Sequence, residues 1–323
     1  MKISKFQKIR SRRFRQAKKL LSKTIPIWMV TVVLLNSVLA TGFIEYYIMK
    51  KNFNNALVSL SKTTKSPAEL VQILKQQVLP QGGYTLGVRW DDIGKKLLES
   101  GVIDKAKYEG LFVNDPEAKN QMKYLSQDLQ DNMMINEKNA HFMVNTLWAL
   151  GLVNKSDVLD KGSMKTYGKG NVMNFASTGG WNLGAKETSQ LYSSVEIIKL
   201  TPEQQELVKK IAQNIYRPCC GNSTEFPDCN HGMAALGYIE LAISQGVPEE
   251  RIYKDILALN SFWFPQNYVE LAAYMQKQGT QWKNVDAKLA LSFQYSSAQG
   301  AQSIHQAVQD VPGLGSVGGS CGQ

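Results

Sequence analysis

The chain has 323 residues, 43% of them hydrophobic, with 37 basic and 27 acidic side chains and a formal charge of +10. Ten of the basic residues, Lys2 to Lys23, precede any acidic one, and removing ten from 37 leaves 27 against 27. That balance excludes a nucleic-acid-binding body, which needs a basic face, and the apolar content supports a core that does not depend on the four cysteines.

From the N-terminus, residues 1–24 read as a basic cytoplasmic arm. Ile25 to Ile44 then runs twenty residues without a charge, long enough to cross a bilayer as a helix. Positive charge on the cytoplasmic side predicts a single-pass, N-in signal-anchor over 25–47, with the bulk of the chain outside the cell membrane. The competing reading is a cleaved signal peptide, for which Val38-Leu39-Ala40 supplies small residues. In either case the body is exported, where disulfides are permitted, and its partners are the membrane and another exported or membrane protein.

A polar stalk over 48–66 precedes a helix opened by Ser66 and carrying Glu69, Leu70, Val71, Ile73 and Leu74, broken at Pro80-Gln81-Gly82-Gly83. Tyr84 to Val88 is one of two strand candidates; Val195 to Leu200 is the other. Three helices are predicted to end at Gly101, Gly151 and Gly246, each followed by an aliphatic residue and then a polar or acidic one that opens the next helix. Residues 160–185 form a Gly-, Ser- and Asn-rich loop, either functional or a surface connection. Thr201-Pro202-Glu203 opens a helix reaching Asn214, Asn230 or Asp228 caps one running to Gln245, and Pro248 begins a third. The fold class is therefore all-α with at most a minor β-hairpin, divided into a helical region over 67–200, a helical Cys/His domain over 201–310 and a Gly-rich tail over 311–323.

Three of the four cysteines gather in the run Tyr216-Arg217-Pro218-Cys219-Cys220-Gly221-Asn222-Ser223-Thr224-Glu225-Phe226-Pro227-Asp228-Cys229-Asn230-His231-Gly232-Met233. Thiolates and an imidazole bind thiophilic ions, so Cys219, Cys220, Cys229 and His231 are candidate ligands for copper or zinc, with Met233 or Cys321 in reserve. Adjacent cysteines followed by a distant Cys-x-His do not match the usual zinc spacing, and copper(I) tolerates such a set better. Two other readings stay open: disulfides that staple the loop, or thiol-disulfide exchange through Cys219, Cys220 and Cys229. Cys229 and His231 sit at a helix N-terminus, which favours thiolate. No nucleotide or haem is indicated. Gly313-Leu314-Gly315-Ser316-Val317-Gly318 follows no strand, and Cys229-Asn230-His231 lacks the second cysteine of a haem attachment motif.

The stretch from Glu206 to Phe264 resembles the cytochrome c maturation protein H family in its helix, Arg217-Pro218-Cys219-Cys220-Gly221-Asn222, a second helix ending at Gln245-Gly246, and a third opened by Pro248-Glu249-Glu250. The resemblance implies a membrane-anchored, exported three-helix unit handling protein thiols, with Cys219 and Cys220 as the reactive pair. Here vicinal cysteines replace the family's Cys-x-x-Cys, and Cys229 and His231 are additions. The run 216–233 also resembles uncharacterised exported bacterial proteins.

Overall fold

The computed structural model describes residues 67–314 and, before them, the helical residues 29–38, 40–42, 44, 45 and 48. Among the described residues no helix is long and apolar enough to cross a membrane. This overturns the single-pass, N-in placement in the cell membrane. The longest continuous described piece of the charge-free run, residues 29–38, rises only about 15 Å, half of a bilayer core. Polar Asn36 and Ser37 lie within it, each turning its side chain back to the helix carbonyls of Val32 and Val33 at 2.8 Å. The basic arm, the stalk after Ile48, the rest of 25–47 and residues 315–323 with Cys321 lie outside the described residues, while Val311 and Leu314 at the start of the tail are buried.

Residues 67–314 are mostly helical and share one hydrophobic core. Helix α1 (Pro67–Val78) ends before the Pro80 turn, as its sequence predicts. Strand β1 (Tyr84–Asp91) buries Leu86, Val88 and Trp90 on one face, the period of two expected of a half-buried strand. Helix α2 (Ile93–Ser100) stops at Gly101, whose φ of 79° is the left-handed geometry glycine adopts without strain. Helix α3 (Lys105–Leu111) starts at Asp104, whose carboxylate accepts the Lys107 amide at 3.0 Å.

The partner of β1 is β2 (Leu129–Ile135), antiparallel, with Tyr84 opposite Ile135 and Asp91 opposite Leu129. Helices α2 and α3 lie between the two strands, so they do not form a local hairpin. Strand β2 was not expected: Leu-Gln-Asp-Asn-Met-Met-Ile has one β-branched residue, and only pairing with β1 makes it extended. The other strand candidate is not one. Val195 makes an isolated bridge to Asn154, and 196–200 runs on irregularly towards the next helix.

Helices α4 (Ala140–Val153) and α6 (Asn230–Ser244) cross at the centre, with α5 (Pro202–Ala212), α7 (Glu249–Trp263), α8 (Pro265–Lys277) and α9 (Ala298–Ala307) around them. Every residue of α6 from Gly232 to Ile243 is buried, as in a helix surrounded by protein. Gly151 does not end α4, which continues to Val153. It makes the crossing possible: a Cβ there would lie 2.1 Å from the Met233 carbonyl oxygen, and one at Gly237 would lie 2.5 Å from that of Leu147. Gly246, with φ of 73°, does follow the end of α6 as expected.

Residues 160–185 are a packed connection built of helical turns. Trp181 is buried and donates to the Val102 carbonyl at 2.8 Å, while Trp148 donates to that of Ser177 at 2.7 Å. Between β1, α6 and α7 lies a buried carboxylate. Asp255 accepts hydrogen bonds from Tyr84 (2.9 Å), the Gly87 amide (2.8 Å), Tyr238 (2.5 Å) and Arg251 Nε (2.7 Å).

Candidate metal centre

The cysteine-bearing segment joins the end of α5 to the start of α6. Helix α5 begins with a reciprocal capping box between Thr201 and Gln204, and its Val208 and Ile211 are buried. The chain leaving it is fixed from several sides. The Tyr216 amide donates to Leu291, the Thr224 amide to Ile215, the Ser177 amide to Asp228 and the Ala298 amide to Cys220, all between 2.8 and 3.0 Å. A loop tied to the rest of the core in this way holds its side chains in fixed positions.

Arg217 organises the loop interior, although it is charged and only 1% exposed. Its Nη1 donates to the Asn222 carbonyl at 2.9 Å, and its Nη2 donates to the Phe226 carbonyl at 3.2 Å and to Asp228 Oδ1 at 2.6 Å. Its Nε donates to Cys229 Sγ at 3.1 Å. Asp228 Oδ2 accepts from Asn222 Nδ2 at 2.7 Å, so both of its oxygens are engaged. Gly232 makes room for the guanidinium: a Cβ there would lie 2.5 to 2.9 Å from Nη2, Cζ and Nε.

Cys229, and neither Asn230 nor Asp228, caps α6. Its sulfur accepts the Gly232 amide at 3.4 Å. The expected capping residues fail because Asp228 turns to Arg217 and Asn230 already belongs to the helix. Cys219 Sγ lies 3.3 Å from Cys229 Sγ, whereas Cys220 Sγ points to the Asn222 carbonyl at 3.9 Å. All three cysteines are half-buried and free.

Ligand atoms of Cys219, Cys229 and His231 lie within 4.8 Å of one another, and those of Cys220, Asp228 and Cys229 do likewise. The four predicted ligands thus fall into two overlapping triads that share Cys229. The second is the poorer ligand set, because Asp228 is committed to Arg217 and Asn222. Met233 is fully buried within α6.

The thiols divide a proton unequally. Hydrogen bonds from Cys219 and Cys220, with the Arg217 charge, hold Cys229 well below the ordinary thiol range against the cost of burial. Cys219 is raised by its contacts with Cys220 and Cys229 and by burial. Cys220 is drawn down by Cys219, but Cys229 and burial outweigh this and push it up to about 12. Within the cluster negative charge is favoured at Cys229 over Cys219 and Cys220.

His231 packs its ring against Phe264, with centroids 4.4 Å apart, and Trp263, at 5.7 Å. Burial, with a smaller effect of Arg217, lowers its pKa to about 4, overriding the Cys229 charge, so the imidazole is neutral. Its buried Nδ1 has no hydrogen-bond partner.

Sequence reasoning placed Cys219, Cys220, Cys229 and His231 in one neighbourhood but gave no role to Arg217 and only a capping role to Asp228. A lone arginine beside three cysteines in a short loop was the available signal. The chain matches no family model, no curated protein and no solved structure, so the likeness of 206–264 to the cytochrome c maturation protein H family rests on its own residues.

Proposed function

We propose that the protein binds one thiophilic metal ion through Cys219, Cys229 and His231, with Cys220 as a neighbouring fourth thiol. The observation that carries this reading is a buried imidazole with one ring nitrogen within 4.8 Å of the Cys219 and Cys229 sulfurs and with its Nδ1 unpartnered. An unpaired buried polar atom costs about 1–3 kcal/mol, and a loop stapled by a disulfide has no use for it. A metal ion on the ring would fix the tautomer and give the imidazole a role.

Two considerations favour copper(I) over zinc. A triad of two sulfurs and one nitrogen satisfies copper(I), while structural zinc takes four ligands. The Arg217 charge one hydrogen bond from Cys229 also repels a dication twice as strongly as a monocation, with Asp228 offsetting part of the effect.

The test is a titration of reduced, full-length protein with copper(I) and separately with zinc, each against a competing chelator. One equivalent of copper(I) is expected, with His231→Ala weakening it by at least the roughly tenfold seen when even outlying partners of a metal site are lost. Uptake of neither ion, or a His231→Ala protein that binds copper(I) as the parent does, would sink the proposal.

A further inference from the structure

We infer that Cys219 and Cys229 are a redox gate on this site: a low-molecular-weight disulfide oxidises the pair to an intramolecular disulfide and the ion leaves. The inference rests on the metal reading of the same residues and concerns how the site lets its ion go.

The geometry supplies the pair and its polarity. The two sulfurs touch at 3.3 Å across a segment pinned at Tyr216, Cys220, Thr224 and Asp228, so little chain movement separates two thiols from a bond of about 2.05 Å. Arg217 Nε and the Gly232 amide both donate to Cys229 Sγ, and two donors on one sulfur favour negative charge there. Cys219 Sγ has no N–H donor of this kind, only its contact with Cys229. Cys229 is therefore the attacking sulfur and Cys219 the one that resolves.

The exchange balances without any further oxidant. The Cys229 thiolate attacks one sulfur of the small disulfide RSSR, forming a Cys229–SR mixed disulfide as the RS–SR bond breaks and RS⁻ leaves. With copper(I) bound both cysteines are thiolates, so this RS⁻ takes a proton from water and departs as RSH. The Cys219 thiolate then attacks the Cys229 sulfur, the Cys229–SR bond breaks, and the second RS⁻ takes a proton from water. The protein pair loses two electrons and RSSR gains them. A sulfur in a disulfide is a poor ligand, so the triad loses two of its three ligands and its hold on copper(I) falls sharply. Cys220 is the rival partner, since its sulfur also lies within 4.8 Å of Cys229. It is turned to the Asn222 carbonyl instead, and its own carbonyl is held by Ala298 at 2.9 Å.

The experiment uses full-length protein loaded with copper(I) in the absence of oxygen and then exposed to glutathione disulfide, with released copper read by a chelator and cysteine linkages read by peptide mass. Loss of the bound equivalent together with a linked Cys219–Cys229 peptide, and Cys220 still open to alkylation, is the expected result. Metal-free Cys219→Ser should stop at a glutathione adduct on Cys229. A linked Cys220–Cys229 peptide, or full retention of copper by the parent under glutathione disulfide, overturns the gate and leaves the metal reading standing. Reduced protein that takes up no copper(I) at the outset overturns the metal reading itself, and the gate with it.

Discussion

Two clusters of buried polar groups hold this fold together, and they differ in how completely they are satisfied. At Asp255 each carboxylate oxygen has two donors, drawn from Tyr84, Gly87, Tyr238 and Arg251, and the network bridges β1, α6 and α7. At the cysteine loop Arg217 makes four hydrogen bonds, yet two sulfurs in contact and the His231 Nδ1 retain unused binding capacity. A closed network is what a structural staple needs. One that is closed on its outer side and open on its inner side is what a ligand needs, because the scaffold is fixed before the ligand arrives.

The comparison breaks first at Asp255. Replacing it with alanine leaves two tyrosine hydroxyls and the Gly87 amide without their acceptor, and a buried polar group left unpaired costs about 1–3 kcal/mol. Asp255→Ala should therefore show that loss in denaturant unfolding while copper(I) affinity of the folded fraction stays within about twofold of the parent. A large fall in copper affinity would mean that the two clusters are one.

Glu240 sharpens the contrast from the same central helix. It is fully buried, accepts from Asn154 Nδ2 at 2.9 Å, and its Oε1 has no partner; Ser156 Oγ is near enough to influence it but outside hydrogen-bond geometry. Burial raises its pKa from 4.5 to about 8, against the smaller lowering effects of Ser156 and Asn154, so the folded protein carries a neutral acid at pH 7. Between those two values the folded state binds a proton that the unfolded state has lost. Stability therefore falls as pH rises through that window and levels off above it. Glu240→Gln should remove the slope and leave the variant more stable than the parent at pH 8 by on the order of 2–4 kcal/mol. Equal pH dependence of parent and variant between pH 5 and 8 would refute this.

The smallest effect is expected at Gly232. An added methyl must displace the Arg217 guanidinium, and overpacking of this kind costs about 1–3 kcal/mol. Its distinctive consequence is chemical: with Nε moved away, Cys229 loses a donor and its thiolate becomes scarcer at neutral pH. Gly232→Ala should slow alkylation of Cys229 at pH 7 and move its alkylation profile to higher pH. A profile unchanged beside a real stability loss would reduce Arg217 to a packing role.

Much of the helical architecture was legible along the chain because its signals are local. Thr201 with Gln204, Asp104, Gly101 and Gly246 mark helix ends through interactions that reach no further than one turn. The clustering of Cys219, Cys220, Cys229 and His231 was legible for the same reason, being a matter of sequence distance. Strand β2 and the role of Gly151 were not, since each depends on a partner remote in sequence or on a close approach between elements; that of Arg217 was not because only the turn of the loop gathers Asn222, Phe226, Asp228 and Cys229 around it. The charge-free run before Glu45 shows the converse error. Its composition satisfies a bilayer crossing, but a crossing also needs a continuous apolar helix, and the described residues contain none of sufficient length.

By itself the sequence determined a helical protein with a thiol and imidazole cluster between two helices, because helix caps, apolar spacing and the composition of one short run need no tertiary information. Only the tertiary structure decided which sulfurs touch, that Cys229 is the sulfur on which negative charge is favoured, that the buried His231 has an unpartnered nitrogen, and that Asp228 is held by Arg217 and Asn222. Those properties arise from desolvation and hydrogen bonds among groups brought together by the turn of the 216–231 loop onto the start of α6 and the Trp263-Phe264 corner, and both depend on distance in space rather than along the chain.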